Sequence, residues 1–119
     1  MNEDAKLVYI GAADGILRAL DAESGSLEWE FATGADIRSS PAFDKQQNAV
    51  FFGSYDHNVY ALNAADGSLL WKYTTGDQVN SSPRLSKDGA TLFIGSLDEN
   101  VYALSTADGS QYTEIGYDW

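Results

Sequence analysis

The chain has 119 residues, 18 acidic against 7 basic side chains and a formal net charge of −11. That balance opposes nucleic-acid phosphates and anionic lipid surfaces, which are engaged through Lys and Arg. Zero cysteines exclude disulfides and thiolate chemistry, and no apolar run approaches the ~18 residues of a membrane-crossing helix.

The first four residues, Met1-Asn2-Glu3-Asp4, are acidic. With no apolar stretch behind them, they predict no signal peptide in this chain. The first strand signal is Leu7-Val8-Tyr9-Ile10-Gly11, a short apolar run rich in β-branched and aromatic residues. Asp14-Gly15 predicts a turn, Ile16-Leu17-Arg18-Ala19-Leu20 an alternating strand, Ser24-Gly25 a hairpin, and Leu27-Glu28-Trp29-Glu30-Phe31 a second alternating strand.

The same order then recurs. Ile37-Arg38-Ser39-Ser40-Pro41-Ala42-Phe43 opens a second unit as its first strand. Ala49 to Ser54, Asn58 to Leu62 and Leu69 to Tyr73 follow, divided by Asp56-His57-Asn58 and Asp66-Gly67. A third unit runs from Val79-Asn80-Ser81-Ser82-Pro83-Arg84-Leu85 through Thr91 to Ser96 and Asn100 to Leu104, and ends on Gln111-Tyr112-Thr113-Glu114-Ile115. Its turns are Lys87-Asp88-Gly89, Asp98-Glu99-Asn100 and Asp108-Gly109.

Gly11, Gly53 and Gly95 stand 42 apart, as do Asp14, Asp56 and Asp98, and Gly25, Gly67 and Gly109. A period of roughly 40 to 45 residues with four strands per unit marks a β-propeller blade. The expected architecture is all-β: a single segment of four-stranded antiparallel blades, with units at about 5–36, 37–78 and 79–119. The second strands are expected buried on both faces, and the third and fourth half-buried. The chain holds about 2.8 such units, or about eleven strands, whereas propellers close with about 4 to 8 blades. It enters at a second strand, so its opening blade lacks a first.

The wording of the repeat has a parallel. Val59-Tyr60-Ala61-Leu62-Asn63-Ala64-Ala65-Asp66-Gly67-Ser68-Leu69-Leu70-Trp71 resembles the tryptophan-docking motif of pyrroloquinoline-quinone-like propeller repeats. Ser39-Ser40-Pro41 and Phe52-Gly53-Ser54 resemble two further segments of that family. The resemblance implies blades with the Ser-Ser-Pro strand innermost and the Trp strand outermost. Trp29 and Trp71 would lock neighbouring blades, with Gly25, Gly67 and Gly109 in the docking loops. An indole buries a large area and still offers one N–H to a carbonyl. Thr113 stands where Trp29 and Trp71 stand in the other units, as terminal repeats often depart from the pattern.

Candidate sites are few. True quinoproteins of the resembled family carry a calcium site, a cysteine pair and a ring around the quinone, so no cofactor is expected here. The lone His57 sits in a turn and has no companion at metal-ligand spacing. Asp14, Asp56 and Asp98 are read as turn-stabilising rather than calcium-binding residues. If the Ser-Ser-Pro strand lines a channel, Arg38, Asn80 and Arg84 face a ligand or partner there.

The expected function is therefore a non-enzymatic binding or scaffolding module. It would be completed by self-association, a dimer giving a ring of about six blades, or by a protein partner. The alternatives are a fragment of a quinoprotein-like dehydrogenase and a small-ligand or glycan-binding propeller. The resemblance implies a periplasmic or other extracytoplasmic setting.

Overall fold

The computed structural model describes residues 6–112. They form ten strands in three antiparallel sheets. Blade 1 contains β1 (Leu7–Gly11), β2 (Ile16–Asp21) and β3 (Leu27–Ala32). Blade 2 contains β4 (Ala42–Asp44), β5 (Ala49–Gly53), β6 (Asn58–Asn63) and β7 (Leu69–Thr74). Blade 3 contains β8 (Arg84–Leu85), β9 (Thr91–Gly95) and β10 (Val101–Ser105). An isolated bridge, Leu104 to Gln111, begins the outer edge of blade 3. The expected continuation of that edge, including Thr113, lies outside the described residues.

Each sheet is a meander of sequence neighbours, which short turns with a residue at positive φ permit: a glycine in four of them and Asn48, His57 or Glu99 in the other three. The pairing register defines two faces. In blade 2, Phe51, Ala61 and Trp71 lie opposite one another, and so share one face. Phe52 and Tyr60 pair on the other. In blade 1, Tyr9, Ala19 and Trp29 form the face that carries tryptophan.

Two cores result, and both are built by one rule. The Trp face of blade 1 (Leu17, Ala19, Trp29) packs with Val50, Phe52, Tyr60 and Leu62 of blade 2. The Trp face of blade 2 (Phe51, Val59, Ala61, Trp71) packs with Leu92, Ile94, Tyr102 and Leu104 of blade 3. The blades stack Trp face onto opposite face.

Three expectations need correction. The first strands, expected over Ile37 to Phe43 and Val79 to Leu85, pair only at Ala42–Asp44 and Arg84–Leu85. The stretches before them serve the inter-blade seams instead. The Ile37 amide donates to the Ala12 carbonyl and the Val79 amide to the Ser54 carbonyl, while Pro41 and Pro83 have no N–H to give. The third strand was expected to be half-buried throughout, but β6 is buried along its centre on both faces. Conversely, the second strands β1 and β9 alternate in exposure, where burial on both faces was expected. Only blade 2 is flanked on both sides, so only its central strands are fully covered.

Candidate functional site

The loops between second and third strands supply the most polar seam. Each begins with an Asp whose Oδ1 accepts an amide two residues on: Ile16 for Asp14, Asn58 for Asp56 and Asn100 for Asp98. The other carboxylate oxygen reaches across the seam. Asp56 Oδ2 accepts the Gly34 amide at 3.0 Å and Asp98 Oδ2 accepts the Gly76 amide at 2.8 Å. The hydroxyls of Tyr60 and Tyr102 donate to the same two oxygens. Asp56 and Asp98 therefore each close their own turn and clasp the preceding blade.

These contacts set the local protonation. Burial pushes the Asp56 carboxyl up, but donors from Tyr60, Gly34 and Asn58 outweigh it and hold the group below its ordinary value. Burial, reinforced by the bond to Asp56, pushes the Tyr60 phenol up to about 12. Asp98 and Tyr102 shift in the same two directions.

Blade 1 breaks the pattern. Arg18 stands where Tyr60 and Tyr102 stand in the later blades. Its guanidinium donates to Asp14 Oδ2 at 2.8 Å and lies 3.6 Å from Glu30. The hydrogen bond from Arg18 chiefly holds Asp14 below its ordinary value. Around it lies the uncovered face of the blade, where Val8 and Ile10 are 43% and 46% exposed.

The outer strands carry the second seam. Trp29 Nε1 donates to the Ala64 carbonyl at 2.9 Å, and Trp71 Nε1 donates to the Thr106 carbonyl at 2.8 Å. Gly67 packs under the Trp29 ring and Gly109 under the Trp71 ring, each so close that a Cβ would lie 2.5 Å from the indole. Gly25 shares their positive φ, but a Cβ there would meet nothing within 4 Å among the described residues.

The three channel candidates are not brought together. Arg38 lines a shallow cleft of about 480 Å³ beside β1, with Tyr9, Ser39, Ser40 and Pro41. It is held by Asp36 at 2.6 Å and lies over the Tyr55 ring. Asn80 and Arg84 belong to the next unit, are exposed, and lie outside that cleft. His57 occupies an exposed turn at φ 83, the place held by Gly15 and by Glu99 in the sister turns.

The described residues do not fit a calcium site. The recurring carboxylates are already spent on turn amides and blade seams, and among the described residues no group of three His, Asp or Glu converges on one point. Nor is any helix of the described residues long and apolar enough to cross a membrane.

The Asp–Tyr clasp was missed in the sequence, although a signal was present. Asp and Tyr recur four apart as Asp56 with Tyr60 and Asp98 with Tyr102.

The sequence matches the family model described as outer membrane protein assembly factor BamB over residues 3–116. Among solved structures, BamB from Moraxella catarrhalis is similar at 24% identity and a TM-score of 0.75, covering 93% of this chain and 34% of that one. The computationally designed Ika8 protein is similar at 20% identity and a TM-score of 0.76, covering 93% of this chain and 33% of that one. The chain thus spans about a third of the length of these structures. At such identities the likeness establishes the propeller fold. A search of curated proteins finds no match.

Proposed function

The chain belongs to the outer membrane protein assembly factor BamB family, and on that premise we propose that it is a non-enzymatic binding and scaffolding module whose two uncovered blade faces are completed by protein. The observation that carries this reading is the stacking rule. A Trp face covers an opposite face twice within the chain. One face of each kind is left over, with Val8 and Ile10 exposed on blade 1 and Val101 exposed on blade 3. Apolar sheet faces of this kind recruit other chains.

The completing surface is either a second copy, giving a ring of about six blades, or another protein. The family description, an outer membrane protein assembly factor, supports an extracytoplasmic role. The use of the recurring carboxylates as turn and seam acceptors supports a structural rather than a chemical task for them.

Light scattering coupled to size exclusion, over a dilution series, tests this. A mass near twice 12.9 kDa that Ile10→Lys reduces to monomer identifies the second copy. A monomer that captures a blade-bearing protein through the same face identifies the other. Dye reduction on addition of quinone and calcium would overturn the non-enzymatic reading.

A further inference from the structure

We draw no further inference here: the strongest candidate, the exposed apolar pair Leu69 and Leu70 on the outer edge strand β7 of blade 2, carries nothing, because the exposed Lys72 beside it favours an acidic strand that the net charge of −11 repels, and nothing in the structure shows what covers it.

Discussion

The indole of Trp29 and the carbonyl of Ala64 are joined by a 2.9 Å hydrogen bond across a blade boundary, 35 residues apart in the chain. The bond makes one residue both a packing unit and a latch. Trp29→Ala is expected to lower unfolding free energy by about 3 to 5 kcal/mol, since it empties a buried aromatic site. Trp29→Phe keeps most of the area but orphans the carbonyl, and is expected to cost about 1 to 3 kcal/mol. Urea denaturation of both variants, compared through their midpoints, checks the order.

Gly67→Ala and Gly25→Ala form a matched pair. Both place a Cβ at positive φ, which costs about 1 to 2 kcal/mol. Only Gly67→Ala also drives that Cβ into the Trp29 ring, an overpacking worth about 1 to 3 kcal/mol more. Gly67→Ala should therefore melt clearly lower than Gly25→Ala by calorimetry. Equal melting would contradict the seating of Trp29 on Gly67.

Stability should fall at both ends of the pH scale. The Asp56 carboxyl is depressed below 3.8 in the fold, so its contribution is present above that pH and is lost as pH drops below it. The Tyr60 phenol is raised from 10.0 to about 12, so its contribution is present below pH 10 and is lost as pH climbs between those values. Urea midpoints measured across pH should show a plateau with two falling limbs. Tyr60→Phe should flatten the alkaline limb, and Asp56→Asn the acid one.

His57 holds a backbone conformation that its sister position in blade 1 gives to glycine. His57→Gly should release steric strain of about 1 to 2 kcal/mol, less the extra chain entropy of glycine. A net gain of up to about 1 kcal/mol is expected in thermal denaturation. A loss would mean the imidazole does something the turn geometry does not reveal.

Much of this was legible in the sequence because the repeat keeps one length. An unbroken period puts Gly25, Gly67 and Gly109 in the same hairpin, so turn chemistry could be read three times over. The blade order and the Trp strands followed from the same register. What could not be read was the environment around each strand. β1, β5 and β9 carry similar apolar words but differ in burial, because burial depends on whether a blade stands on each side. The first strands were overextended because Ile37 and Val79 look like strand residues, while their amides bond across blades. The meaning of Arg18 was hidden for a related reason: it is informative only against the tyrosines that clasp Asp56 and Asp98.

Every join in this stack is made between unlike faces, which gives the arc a direction. A closed ring of two copies keeps this rule, because each seam would set the blade 1 face of one copy against the blade 3 face of the other. Addition at either end must therefore be heterologous, and such addition has only two fates: it closes on itself or it extends into a filament. A fixed blade number then protects solubility as well as shape, because a closed circle has no growing tip.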